Sequence, residues 1–217
     1  MHFEVIGRNL PLLVGGLWLT IQIAIGATVL GLSLGLITAL ARMSPVRPLR
    51  WLAVTYIEVI RNTPALVQVF LIYYGLGEMG LRLPAFSALI LALGVNNGAY
   101  LAEIFRGGLL SVRRGQLEAA AALALPSRTT LFGVVLPQAI RSIWPALTNQ
   151  TIQIVLATSL GTVVGMPELV NKMLYIDSRT LRTNELLITV TLMYAALTFG
   201  ISLLSRVVAN RMERAYR

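Results

Sequence analysis

The side chains that could do chemistry in this sequence are few, and most of them interrupt long apolar stretches. The chain has no cysteine and one histidine, His2, which excludes disulfides, thiolate metal sites and catalysis by histidine. Glu58 and Glu103 are each followed by an arginine after three residues, a spacing that places the pair on one helix face. The two arginines are Arg61 and Arg106. Each pair predicts mutual neutralisation, with a role in gating as the alternative.

A polar break occurs at Asn62-Thr63-Pro64. Pro64 removes one helix hydrogen bond. Asn62 and Thr63 could satisfy the freed backbone groups themselves, or leave those groups open to a ligand. Gln68 lies one turn further along and would line the same face. These residues predict either a kink that serves packing or a polar binding site.

A second group of polar side chains lies on the later apolar stretches. Its members are Asn97, Asn149, Gln150, Gln153, Thr158, Ser159 and Glu168. Such groups can hold helices together in lipid, but so many of them beside proline and glycine breaks indicate the lining of a wet cavity. Glu168 could meet an ammonium group near the outer mouth, or it could be a solvated loop charge.

The elements that must position these residues are transmembrane helices. Of the 217 residues, 56% are hydrophobic and 12% are charged, whereas about 25% are charged in a soluble protein. A helix crosses the hydrocarbon core with about 20 apolar residues. The apolar segments are roughly 10–41, 51–76, 84–106, 129–165 and 185–209. We predict an all-α membrane protein with five transmembrane helices, in a single domain over residues 1–217.

Two features refine this prediction. Pro137 and Pro145 predict that the fourth segment begins at the interface and is kinked. GLSLG at 31–35, GVNNG at 94–98 and GTVVG at 161–165 place small residues one turn apart, which lets helices approach closely in lipid.

Arginine placement predicts the orientation. Most of the basic residues follow the first, third and fifth apolar segments and so lie on one side of the membrane. They are Arg42, Arg47, Arg50, Arg106, Arg113, Arg114, Arg128, Arg206, Arg211, Arg214 and Arg217. The opposite side carries Arg8, Arg82, Lys172, Arg179 and Arg182. Because positive residues mark cytoplasmic loops, the N-terminus is predicted outside and the C-terminus inside. The same rule accounts for the net charge of +9 without a nucleic-acid partner.

A short alanine-rich helix, Gln116–Leu125, is predicted in the cytoplasmic loop at about 107–130. Alanine has the highest helix propensity, and Pro126 ends the helix. A small exposed helix of this kind suits docking into a groove on a soluble partner. An anchor helix at the membrane interface is the alternative.

The sequence here resembles the permeases of bacterial ABC importers, of the polar amino acid type. Glu118-Ala119-Ala120, followed at a distance by Leu136-Pro137, is similar to the EAA loop of that family. The resemblance extends over IRNTPALVQVFLIYYGL (60–76), GAYLAEIFRGGLLSVRRGQLEAA (98–120), LPQAIRSIWPALTN (136–149) and TSLGTVVGMPEL (158–169). Two departures stand out: Ala124 replaces the usual glycine, and Leu156-Ala157 replaces a common Lys-Asp pair.

The resemblance implies a multi-pass protein of the bacterial inner membrane. Its partners would be an ABC ATPase dimer, a second permease that is a copy or a sister, an extracytoplasmic substrate-binding protein, a polar amino acid and membrane lipid. The ATPase would bind ATP and Mg²⁺, so no cofactor is expected in this chain. The coupling residues would be Glu118, Ala119, Ala120, Ala124, Leu125 and Pro126. The substrate groups would be Asn62, Thr63, Gln68, Asn97, Thr158, Ser159 and Glu168.

Two other classes of membrane protein explain less of the sequence. An ion-coupled secondary amino acid transporter could use Glu58 or Glu103 as an ion site, but it predicts inverted repeats, and no repeat is obvious in the sequence. A membrane scaffold would explain the small-residue motifs but not the amides. The chain lacks both the phosphate-binding G-x-x-x-x-G-K-[ST] sequence and a Ser/His/Asp set, so it is not predicted to be an enzyme.

Overall fold

A computed structural model of the chain describes residues 4–214, so His2 and Arg217 lie outside the described residues. All regular elements within this range are helical. The helices are α1 (Glu4–Met43), α2 (Arg47–Arg61), α3 (Ala65–Glu78), α4 (Ala85–Leu110), α5 (Arg114–Ala122), α6 (Ser127–Val164), α7 (Leu169–Thr180) and α8 (Thr183–Arg214). Within α6, Thr130–Val135 forms a widened π turn and Thr158–Val164 a tighter 3₁₀ turn.

Three helices in the described range, α1, α4 and α8, are long and apolar enough to cross a membrane. The bent pair of α6 and α7 is a fourth crossing if it counts as one span. The second predicted segment is instead divided into α2 and α3 at Asn62-Thr63-Pro64. This division agrees with the sequence expectation of a broken helix, because Pro64 cannot continue the hydrogen-bond ladder. The number of five spans stays a prediction.

The most extensive helix interface joins α1 and α4, and glycines allow it. A Cβ atom at Gly31 would lie 2.6 Å from Nδ2 of Asn97, and one at Gly98 would lie 2.9 Å from Cβ of Leu34. Such separations are possible only without a side chain, so the predicted role of the first two small-residue motifs is confirmed. The core beside this interface is apolar, with Ile23, Ala27, Leu89, Leu93 and Ile154 all buried.

The sharpest bend lies after α6 rather than at its prolines. The axes of α6 and α7 differ by 49° across residues 165–168, and Gly165 there has a left-handed φ of 70°. Pro145 lies inside a helical stretch that continues to Ala157. The widened turn stands directly before Leu136 and Pro137, where the proline cannot donate to the preceding turn. Sequence analysis missed α7 because that stretch is amphipathic and polar rather than apolar.

Side-chain contacts show which helix ends lie together. Arg42 at the end of α1 forms an ion pair with Glu103 near the end of α4. Nε1 of Trp144, early in α6, donates to the carbonyl oxygen of Ser205, late in α8, at 3.1 Å. At the opposite end, the amide of Leu169 donates to Oγ1 of Thr20 at 3.3 Å. The arginine-rich ends of α1, α4 and α8 therefore gather at one end of the bundle.

Candidate functional site

The break between α2 and α3 is held by a network of amides and hydroxyls. Nε2 of Gln68 donates to the carbonyl oxygen of Ile60 at 2.8 Å and to Oγ1 of Thr63 at 2.7 Å. Oε1 of Gln68 accepts from Nδ2 of Asn96 on α4 at 2.9 Å. Gln68 is buried. Its side chain satisfies backbone groups at the break that Pro64 leaves without helix hydrogen bonds, and it links the break to α4 through Asn96.

Asn62 and Thr63 lie at this break but point away from the core, and both are exposed. Nδ2 of Asn62 donates to the carbonyl oxygen of Glu58 at 2.8 Å. Oγ1 of Thr63 donates to the carbonyl oxygen of Val59 at 2.9 Å. These bonds satisfy the last carbonyls of α2, while the exposed edges of both side chains stay accessible. These contacts support the first alternative, a kink that serves packing, whereas a polar binding site at the break stays a prediction.

Asn97 does not join this network, although it is adjacent to Asn96. One residue turns a helix by about 100°, so Asn97 faces α1, where it is 1% exposed and packs on Gly31. Its Oδ1 is buried, with no hydrogen-bond partner among the residues that the structure describes. It borders a cavity of about 320 Å³ that Thr28, Thr148 and other side chains line. Sequence analysis singled out Asn97, whereas the partner of Gln68 is Asn96.

Thr158 and Ser159 lie in the tight final turn of α6. The hydroxyl of Thr158 is buried and donates to the carbonyl oxygen of Val155 at 2.7 Å. Ser159 donates to the carbonyl oxygen of Leu156 at 2.7 Å and borders a separate cavity of about 520 Å³ between α6, α7 and α8. Leu156 lines that cavity too, so the replaced Lys-Asp pair leaves an apolar side chain there.

Glu168 caps the first turn of α7 and is 0% exposed. Its carboxylate accepts from the amide of Val170 at 2.9 Å and from the amide of Asn171 at 2.8 Å. The hydroxyls of Thr162 and Tyr194 also donate to it, at 2.7 Å and 3.3 Å. The alternative of a solvated loop charge is therefore wrong, because the N–H groups of a helix N-terminus stabilise this buried carboxylate. A contact with substrate stays a prediction.

The predicted neutralisation holds for one of the two glutamate–arginine pairs. Glu103 forms ion pairs with Arg106, at 2.9 Å, and with Arg42 of α1. Glu58 and Arg61 form no ion pair with each other within the described residues. The guanidinium of Arg61 instead lies 5.3 Å from the centre of the Tyr100 ring. The expectation for Glu58 is therefore wrong. The sequence spacing places Arg61 near Glu58, but it cannot show that an aromatic ring on another helix competes.

The predicted coupling residues lie on an exposed helix and the turn that ends it. Glu118, Ala119 and Ala120 belong to α5, in which Ala120 is buried against the rest of the chain. The helix ends at Ala122 rather than at Leu125. Ala124 has a left-handed φ of 49°, so it cannot continue the helix. Ala124, Leu125 and Pro126 therefore form the turn after the helix.

Residues 29–216 match the family described as the binding-protein-dependent transport system inner membrane component. The chain is 40% identical to the L-cystine transport system permease protein TcyB of Bacillus subtilis (strain 168), over 94% of this chain and 88% of TcyB. It is 31% identical to the arginine transport system permease protein ArtQ of the same organism, over 98% of each chain.

A solved structure shares the fold. The crystal structure of an amino acid ABC transporter with histidines superposes with a TM-score of 0.91 at 37% sequence identity, covering 97% of this chain and 99% of the other. The agreement confirms the predicted all-α fold of a type I ABC permease. The chain therefore belongs to the binding-protein-dependent transport system inner membrane component family, as an inner-membrane permease subunit of an amino acid ABC transporter that is not itself an enzyme.

Proposed function

We propose that this chain imports a polar amino acid that an extracytoplasmic binding protein delivers, and that ATP hydrolysis in a partner ATPase dimer drives the import. The observation that carries the proposal is the exposed helix α5 at the arginine-rich end of the bundle. Residues 113–129 are exposed except for Ala120, which anchors the helix. A charged, alanine-rich surface of this size suits a groove on a soluble subunit rather than the bilayer interior.

The proposed topology has five crossings, with the N-terminus outside and the C-terminus inside. The ion pair of Arg42 with Glu103 supports it, because it places the basic ends of α1 and α4 on one side. The broken pair α2 and α3 would supply the additional crossing. Its polar break would be tolerated because it faces protein or water instead of lipid.

The proposed energy transfer runs through Glu118–Pro126 into the ATPase, which binds ATP and Mg²⁺. This chain would contribute no cofactor site. A second permease, either a copy of this chain or a sister, would complete the path. Closure of the ATPase dimer would draw the two α5 helices together and tilt the spans, since α5 contacts the widened turn at the start of α6.

The proposed substrate groups lie at three places along the helices. Asn62, Thr63 and Gln68 lie at the break, Asn97 faces α1, and Thr158, Ser159 and Glu168 lie near the bend. The relatives are named for cystine and arginine, and the solved transporter for histidines. Zwitterionic polar amino acids are the substrate class that these names share.

The test is reconstitution of the chain with its co-purified partners in proteoliposomes. ATPase activity is measured with the binding protein loaded in turn with cystine, arginine, glutamine and histidine. Stimulation by one of them, together with its uptake, is the expected result. The proposal fails if no ATPase co-purifies and the chain alone moves an amino acid down an ion gradient, which would establish a secondary transporter.

A further inference from the structure

Glu168 and Glu58 differ in burial and in the number of hydrogen bonds that their carboxylates accept. Glu168 is buried, and four donors surround it. The side chain of Glu58 is exposed, and its carboxylate receives one long hydrogen bond, from Nδ2 of Asn62 at 3.2 Å. The carboxylate of Glu58 thus keeps most of its acceptor capacity unused, since an ionised carboxylate can accept about four hydrogen bonds.

Three arginines, on α1, α2 and α4, have other partners. Arg61 lies over the ring of Tyr100, and Arg42 and Arg106 both bind Glu103. Among the described side chains, none forms an ion pair with Glu58. Within the described range, this carboxylate therefore has no cation at ion-pair distance.

Glu58 lies on α2, which packs beside the spanning helix α4. The hydroxyl of Tyr56, half a turn before it, donates to the carbonyl oxygen of Val95 in the middle of α4 at 2.6 Å. Ile57 between them is 0% exposed and faces the core, so α2 turns Glu58 outward. In the proposed topology α2 lies within the membrane, where a carboxylate facing hydrocarbon would cost several kcal/mol, so such residues face water-filled paths or a compensating charge.

Two further polar residues lie close to Glu58 on this exposed surface, which also includes the apolar side chain of Val59. Asn62 follows one turn later and Thr63 begins the break, and both are exposed. An ammonium group needs oxygen acceptors and a negative charge, and this face presents a carboxylate, an amide and a hydroxyl.

We propose that Glu58 faces the aqueous substrate path and accepts the ammonium group of the passing amino acid. This inference rests on the proposed function and adds a substrate-contacting residue to it. It also assigns the charge-balancing role to Glu58, where sequence analysis had placed Glu168.

The first test uses the absence of native cysteine from the chain. The variants Glu58→Cys and Ile57→Cys are assembled with the partner subunits in membranes and treated with the cationic thiol reagent trimethylammonioethyl methanethiosulfonate. The thiol at position 58 is expected to react and the one at buried position 57 to stay unmodified. The amino acid that stimulates the ATPase most among cystine, arginine, glutamine and histidine is expected to slow the reaction at 58. The proposal is overturned if the thiol at position 58 does not react, or if the amino acid does not slow its reaction.

The second test measures amino acid uptake per ATP hydrolysed. Glu58→Gln is expected to lower this ratio about tenfold, the effect of losing one charge-assisted hydrogen bond, and Glu58→Asp is expected to restore most of it. Glu78→Gln, at an exposed glutamate beyond α2, makes the same charge change and serves as control. An unchanged ratio in Glu58→Gln overturns the proposal. A wild-type complex without substrate-stimulated ATPase would instead overturn the proposed function.

Discussion

The amide of Leu125 donates to the carbonyl oxygen of Ala120 at 3.0 Å and closes the C-terminus of α5. A second hydrogen bond, from the amide of Ala124 to the carbonyl oxygen of Ala121 at 2.9 Å, lies within the segment that the first bond closes. Together they form a Schellman motif, in which the residue at Ala124 must be left-handed. Glycine usually fills such a position, so the departure from the family pattern at Ala124 carries conformational strain.

Replacing that alanine relieves the strain. Ala124→Gly is expected to stabilise the loop by about 1 kcal/mol, because glycine adopts a left-handed φ without steric cost. The measurement is thermal unfolding of the purified complex. Ala121→Gly, inside α5, is the control and is expected to destabilise by about 1 kcal/mol. Equal shifts for both variants would contradict the left-handed turn.

Glu118→Lys is expected to abolish substrate-stimulated ATPase activity and uptake while membrane insertion stays normal. Glu118 is exposed on α5, and its side chain forms no hydrogen bond or ion pair with the described residues, whereas a reversed charge would oppose docking into a complementary groove. Activity and membrane content are measured together. Glu78→Lys reverses a charge away from α5 and is expected to retain activity. Normal uptake by Glu118→Lys would remove the coupling role.

Gly98→Ala tests the close approach of α1 and α4. The added Cβ would lie 2.8 Å from Oη of Tyr56 and 2.9 Å from Cβ of Leu34. Overpacking of this kind costs about 1–3 kcal/mol. Gly107→Ala lies on the same helix with open space around it and is expected to be neutral or slightly stabilising. Thermal unfolding of both variants distinguishes the two environments, and equal stability would show that the helices separate.

Glu168→Gln tests the cap of α7. The amide can accept from the amide of Val170 or of Asn171 but turns a donor toward the other, so a buried polar group is left unsatisfied. The expected loss of stability is about 1–3 kcal/mol. The exposed Glu58→Gln is the matched control and is expected to change stability little. If both variants unfold at the same temperature, the buried network does not stabilise the bend.

Much of this protein follows from its sequence. The absence of charge from Leu10 to Ala41 dictates a spanning helix, because hydrocarbon excludes charged groups. The glycine spacing at 31–35 and 94–98 predicted close helix contacts, and the alanine-rich stretch predicted α5, because propensity and small size are local properties. The family resemblance rests on equally local motifs.

The site depended on contacts that sequence spacing does not encode. Asn96 and Asn97 are adjacent, yet only the packing of α1, α3 and α4 decides that Asn96 binds Gln68 and Asn97 faces Gly31. Glu58 and Arg61 have the spacing of an ion pair, yet the guanidinium of Arg61 lies over the ring of Tyr100 on α4. The sequence left Glu168 open between a partner for an ammonium group and a solvated loop charge, and only the tertiary structure shows that it is buried against Thr162 and Tyr194. Helix periodicity sets which residues share a face, but the partner of each face lies far away in the chain and is chosen by packing.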